Sequence, residues 1–394
     1  MARRTISVAE RRARLARRHH LAPGARSDDP VEIAGDLVGL HGTDPASVHL
    51  AALARLRAGS VGDVEKALYD DRALVRMLGM RRTMFVAPID LAAVIQAAAT
   101  RDVAEKMRRR YIDLLGRAGV APDMAAWLRE AEDAALAALA ARGEATGAEL
   151  SRDAPILRTS VLVAEGKAYE GRQNVTTWVL MLLSAEGRIV RCRPRGTWIS
   201  SQYRWSALED WLPGGFADWD TGEARVELVR RWLASFGPGT LTDLRWWTGW
   251  TAGETRKALA RLDPVEVDLE GGGTGLVLPG DTEDPGPAEP WAALLPALDP
   301  TAMGWAERAW YLGSHQGALF DRSGNIGPTI WCDGRIVGGW GQRRDGSIAY
   351  RLLEEVGAER TALVAAEVER AAAWFGGVVT TPRFRTPLER ELSA

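Results

Sequence analysis

Three times along this sequence, helix-forming segments run into two short apolar stretches able to pair as a hairpin. That order constrains the fold more than any other feature, because helix, turn, helix and a two-stranded wing is what a winged helix requires. In the first copy Ser7-Val8-Ala9-Glu10 has the capping-box pattern and opens a helix expected to reach about His20. A second helix is expected from Asp29-Pro30 to Leu40, a third from near Ala46, and a short fourth over 63–71. Gly42 and Pro45 break the chain between the second and the third. ALVRMLGM and RRTMFVA (73–87) then read as a hairpin. In the second copy, helices at 88–118, 123–142 and 147–154 lead into a recognition-type helix over RQNVTTWVLMLLSAEG (172–187), followed by strand, turn and strand over 188–205. The third copy has a helix from Gly222 to Phe236, helices 241–249 and 251–262, and strands 264–270 and 275–279 around a triple-glycine turn.

Beyond the acidic, proline-rich linker GDTEDPGPAEP (280–290) the period changes. ALFDR, TIWCDGRIVGGWGQR and SIAYRLLE read as strands, with hairpin turns at Asp333-Gly334 and Asp345-Gly346. A helix (357–375) and a strand, GGVVTTPRF (376–384), close the chain. The expected fold is α+β, divided at 1–87, 88–221, 222–282 and 291–394, with the last part a small antiparallel sheet or half-barrel. The 16 tryptophans are assigned to core and sheet packing.

Composition removes several functional classes. No apolar run is long enough to cross a bilayer, and the arginine-rich N-terminus lacks the apolar centre of a secretory signal, so a cytoplasmic protein is expected. Two cysteines (Cys192, Cys332) and five histidines show no metal-binding spacing, and no phosphate loop or dinucleotide fingerprint occurs, so neither metal nor cofactor is expected. With only four lysines, Schiff-base chemistry is disfavoured. A net charge of −2 argues against indiscriminate coating of nucleic acid. Arginine is nevertheless concentrated, with eight in residues 1–26 against the single Glu10, and five in 188–204 without an acid. A GC-rich genome gives the same bias toward arginine with no functional cause.

The candidate chemistry lies in the first turn between helices. His41 and Thr43 are alternate residues of a bent segment and can project together, while Asp44 has the alternative role of capping the helix that begins near Ala46. VGLHGTDPAS (38–47), MRRTMFVAP (80–88), RGTWISSQYRW (195–205), DLRWWTGW (243–250), LLPALDPTAMGW (294–305) and FDRSGNIGPTIWCDGRIVGGW (320–340) together resemble the bacterial AlkZ-like DNA glycosylases. The resemblance implies three tandem winged helices in a C-shaped clamp, with a β-barrel-like element bearing a hairpin near DNA. It also implies a monofunctional DNA glycosylase for alkylated purines in double-stranded DNA, serving base excision repair or self-resistance; a monomer with no membrane partner and no cofactor is expected. The family reads Gln-x-Gln or Gln-x-Asp where this chain has His41 and Thr43, with Asp44 as an additional acid. His41 with Thr43 would then orient the attacking water, and Asp44 would stabilise the sugar cation or accept a proton. Arg335, just beyond a hairpin tip, is a candidate DNA contact, as are Arg322, Asn325, Arg343 and Arg344 in neighbouring loops and Gln202 and Arg204 on a wing strand. The alternative is a non-catalytic winged-helix regulator. What separates the two is whether His41, Thr43 and Asp44 face a DNA-sized cleft together.

Overall fold

The computed structural model describes residues 3–163, 166 and 170–394. The capping signals hold locally. Ser7 Oγ accepts the Glu10 N–H and starts the helix Val8–Arg18, although the Glu10 carboxylate turns away to pair with Arg14. The second helix, expected to reach Leu40, stops at Asp36. Val38 and Gly39 take positive φ there, and Leu40–His41 becomes a strand.

That short strand reveals a recurrent plan. In the first repeat Leu40–His41 joins the outer side of the hairpin Leu74–Leu78/Met84–Pro88, pairing with its second strand. In the second, Ala145–Thr146 does the same to Ile189–Pro194/Tyr203–Ala207. In the third, Gly239 makes a single bridge to Leu276, in the second strand of Val265–Leu269/Thr274–Val277. Each pairing segment leads into a helix whose first N–H groups are capped: Pro45–Leu53 by Asp44, Gly147–Asp153 by Thr146, and Leu241–Thr248 by Thr240. The last two are reciprocal capping boxes with Glu149 and Asp243. Only in the first repeat do two residues, Gly42 and Thr43, intervene between strand and cap. Thr5–Ile6 adds a parallel strand to the third hairpin, so the N-terminus reaches across to the third repeat.

Further sequence expectations are corrected. Residues 172–187 are not one helix, because Gly171–Asn174 pairs as a strand with Ser160–Val163 and the helix is Val175–Ala185. ALFDR is a helical turn ending in one bridge, Phe320 to Ile326, and the first strand of the C-terminal sheet is Ala292–Leu295 instead. The element expected to be barrel-like is an open four-stranded antiparallel sheet. Its order is Ala292–Leu295, Thr329–Cys332, Arg335–Gln342, Ile348–Leu352. Asp333 and Gly334 both take positive φ in its tight turn, as a two-residue hairpin requires, whereas Asp345-Gly346 belongs to a five-residue connection. The helix Gly357–Trp374 covers one face. Pro387–Leu392 lies against Arg335–Gln342, and a Cβ at Gly339 would stand 2.8 Å from Leu388 Cδ2.

Residues 376–384, expected as a strand, form none. Their backbone is held by Gln342, whose Oε1 accepts from Thr380 N at 2.8 Å and whose Nε2 donates to Val378 O at 3.1 Å.

All 16 tryptophans are buried or half-buried, as the packing assignment requires. A buried ion pair ties the first repeat to the C-terminal part. Arg55, fully buried, donates to both oxygens of Asp299 at 2.7 and 2.9 Å, to Thr301 Oγ1, and to the carbonyls of His19 and Ala51. A buried pair of this kind holds only when its remaining donors are also satisfied, and here each guanidinium nitrogen has a partner.

Candidate catalytic turn and nucleic-acid interface

Gly42 and Thr43 bulge out of the first sheet edge after Gly42 N donates to Met84 O at 2.7 Å. They form one wall of a cleft of about 850 Å³. The opposite wall comes from the second repeat: Asn174, Thr176 and Thr177 at the start of one helix, with Arg191, Arg195, Gln202, Tyr203 and Trp205 on and beside the strands Ile189–Pro194 and Tyr203–Ala207. Arg383 closes one side, carried there by the irregular C-terminal segment.

Thr43 alone of the three candidate catalytic residues lines this cleft. Its Oγ1 is buried and has no partner among the described residues. His41 lies behind it on the strand, its ring 5.3 Å from that of Phe85, with both ring nitrogens buried and unpartnered. Burial, and secondarily the charge of Arg81, pushes the His41 pKa down to about 3, so the imidazole is neutral across the physiological range. Asp44 is buried and both its oxygens accept backbone N–H groups, Oδ1 from Ala46 at 3.1 Å and Oδ2 from Arg383 at 2.9 Å. Burial raises its pKa against the opposing pull of those two bonds. Asp44 therefore caps a helix, as the sequence allowed, and also fixes Arg383, which sequence reading placed in a strand.

The candidate DNA contacts separate into groups. Gln202 is exposed and lines the cleft. Arg204 pairs with Glu144 at 3.1 Å, and Arg335 with Glu354 at 2.9 Å. Asn325 is held in a turn by Asp321, to which its Nδ2 donates at 2.9 Å. Arg322, Arg343 and Arg344 are exposed and have no carboxylate partner among the described residues. Strand register puts Arg343 and Arg344 at the end of the sheet opposite Arg335, on a tip that extends three residues past the strand Thr329–Cys332.

The two basic stretches also divide. All eight arginines of the N-terminal run have partners within the chain, Arg3 with Glu266 at the surface. Arg14 and Arg17, for example, donate to carbonyls of the 280–290 linker. Of the five in 188–204, only Arg191 lacks a carboxylate partner among the described residues. Sequence reading missed it, together with Arg76 and Arg383. A signal existed for Arg76, a charge in the middle of the apolar strand Leu74–Leu78; none existed for Arg383, whose position depends on contacts hundreds of residues apart.

The family model for AlkZ-like DNA glycosylases matches residues 34–374. The chain belongs to the AlkZ-like DNA glycosylase family. Among solved structures it is similar to the DNA glycosylase AlkZ of Streptomyces sahachiroi, with a TM-score of 0.73 and 20% identity over 94% of this chain and 97% of that one. Comparison with curated proteins gives no significant match. The AlkZ-like matched segment contains the whole turn His41-Gly42-Thr43-Asp44 and Arg191, but ends before Arg383. No helix among the described residues is long and apolar enough to cross a membrane.

Proposed function

We propose that this protein is a monofunctional DNA glycosylase that hydrolyses the N-glycosidic bond of N3- or N7-alkylated purines in double-stranded DNA. It acts as a cytoplasmic monomer, in base excision repair or in resistance to a DNA-alkylating metabolite. Its repeats act as winged helices in a C-shaped clamp around the duplex. The observation that carries this reading is the buried, unpartnered hydroxyl of Thr43 at the wall of a cleft, with the unpartnered ring nitrogens of His41 behind it, although His41 and Asp44 do not line the cleft beside Thr43. Buried polar groups are almost always hydrogen-bonded, so such a set marks a place where water or substrate supplies the missing partners.

An alkylated purine already carries positive charge. When the bond from C1′ to the base breaks, the electron pair leaves with the base and neutralises it, so no strong general acid is needed. The sugar is left as an oxocarbenium ion, which a water captures at C1′ with release of a proton. Thr43 and neutral His41 orient that water, an effect of position rather than of acid strength. Asp44 acts through its negative charge, one residue from Thr43, and by holding Arg383. Among the candidate contacts, Gln202 meets DNA within the cleft and Arg322, Arg343 and Arg344 meet phosphates outside it. Arg204, Arg335 and Asn325 contribute only by exchanging their present partners.

A second reading, a DNA-binding regulator without catalysis, draws support from His41 packing on Phe85 and from both Asp44 oxygens being engaged. One assay separates the two: release of free base from a duplex carrying N7-methylguanine, with undamaged duplex as control. We expect release by the native protein and a loss of roughly 10²-fold in Thr43→Ala. No release at enzyme excess would leave the regulator.

A further inference from the structure

Two arginines at the Tyr203 ring, and the guanidinium group of Arg383 near them, have no stated contact with DNA so far. The Arg76 Cζ lies 5.0 Å and the Arg191 Cζ 5.4 Å from the Tyr203 ring centroid, and Arg383 lines the same cleft as Arg191 and Tyr203. None forms an ion pair among the described residues, whereas their neighbours Arg193 and Arg195 pair with Glu65, Asp70 and Glu149. Arg76 is only 2% exposed. One of its nitrogens donates to Gly42 O, while Nε and Nη2 are buried without a partner. Arg191 donates to Met181 Sδ at 3.0 Å, and its Nε is also buried and unpartnered. The adjacent carboxylate, Asp44, has both oxygens committed to backbone N–H groups.

Burying the guanidinium groups of Arg76 and Arg191 without a counter-charge is costly, and the rings of Tyr203 and Trp205 offset only part of that cost, while Arg383 is exposed beside them. A tetrahedral anion with several acceptor oxygens suits the two guanidinium groups that line the cleft, Arg191 and Arg383, because planar guanidinium forks match phosphate oxygens in pairs, and the charge of buried Arg76 adds to theirs. We propose that Arg76, Arg191 and Arg383 form a seat for one backbone phosphate of the DNA strand that carries the target nucleotide, beside Thr43. The proposal rests on the reading that DNA occupies this cleft. It also resolves a conflict in that reading, since unneutralised guanidinium groups would oppose the developing sugar cation. With a phosphate seated among them, the group nearest the sugar is an anion. Asp44 then has a second effect, because its bond to the Arg383 N–H sets where one arm of the seat stands.

The test is a scan of duplex DNA in which single phosphates are replaced one at a time by neutral methylphosphonates, read as binding affinity for native protein, Arg383→Gln and Arg191→Lys. Arg383→Gln keeps the backbone N–H that Asp44 holds, and Arg191→Lys keeps the charge but removes the fork. We expect one position at which neutralisation weakens native binding about tenfold and weakens Arg383→Gln binding little further, because the two changes remove the same contact. Arg383→Gln should also lower the slope of log affinity against log salt by about 0.9. Losses that are uniform along the duplex, or additive with the substitution at every position, would overturn the seat. Coupling without release of alkylated base would leave the seat standing and remove the glycosylase reading; base release without coupling would do the reverse.

Discussion

The neutral, buried state of His41 makes a prediction that can be worked through from the structure. Its pKa stands at about 3 in the folded protein, against an ordinary value of 6.5. The unfolded chain therefore takes up a proton as the pH falls through about 6.5, while the folded protein takes up none until near 3. Where the unfolded state binds more protons, stability falls as pH falls, so His41 costs stability in the window between those two values and nothing above it. One pH unit corresponds to about 1.4 kcal/mol, so at pH 5 the cost is roughly 2 kcal/mol. His41→Gln removes this term and leaves every other titrating group in place, including buried His49, whose pKa is also about 3. The assay is urea unfolding of native and His41→Gln proteins at about pH 8 and pH 5. Native stability should drop by roughly 2 kcal/mol more than the variant's between the two conditions. Profiles that run parallel would mean that His41 is protonated or solvated in the folded state, and the water-orienting role given to a neutral imidazole would fall with it. The resonances of His41 should correspondingly show no titration by NMR above about pH 5.

Three further outcomes follow from the geometry. Asp44→Ala removes a helix cap worth about 1 kcal/mol and frees the Arg383 backbone, so hydrogen exchange around residue 383 should accelerate; unchanged exchange there would refute the anchoring role. Arg55→Ala leaves Asp299 as an unpaired buried charge and should cost roughly 3–5 kcal/mol in urea unfolding, much of it regained in a double variant that also replaces Asp299 by leucine. Replacing exposed Arg343 and Arg344 by glutamine should lower the salt slope of DNA binding by about 1 to 2, whereas Arg204→Gln, whose partner is Glu144, should change it little.

Much of the architecture was legible because it depends on local signals. Ser7 stands three residues before Glu10 and caps the first helix, and the Asp333-Gly334 turn needs only two residues able to take positive φ. The misreadings occurred where long-range pairing overrode local preference. Leu40–His41 follows a helix-like pattern but is drawn into a strand by Phe85 and Val86, and ALFDR looks like a strand but finds no neighbour to pair with along its length. Of the candidate site, the sequence located the turn His41-Gly42-Thr43-Asp44 and allowed Asp44 to cap a helix, but it could not decide whether His41 and Thr43 project together: Thr43 faces the cleft, His41 lies behind it, and Asp44 also reaches the C-terminal segment.

The sequence by itself therefore determined the succession of capped helices and hairpins, because caps, turns and apolar periods act over a few residues. Only the tertiary structure decided which charges are free. Two arginine-rich stretches look alike in the sequence. One is consumed by carbonyls and carboxylates within the fold, and the other leaves Arg191 unpaired beside Arg76 and Arg383, from elements up to 307 residues apart. Whether a guanidinium group finds a partner depends on what folding brings within about 3 Å of it, and no local pattern encodes that distance.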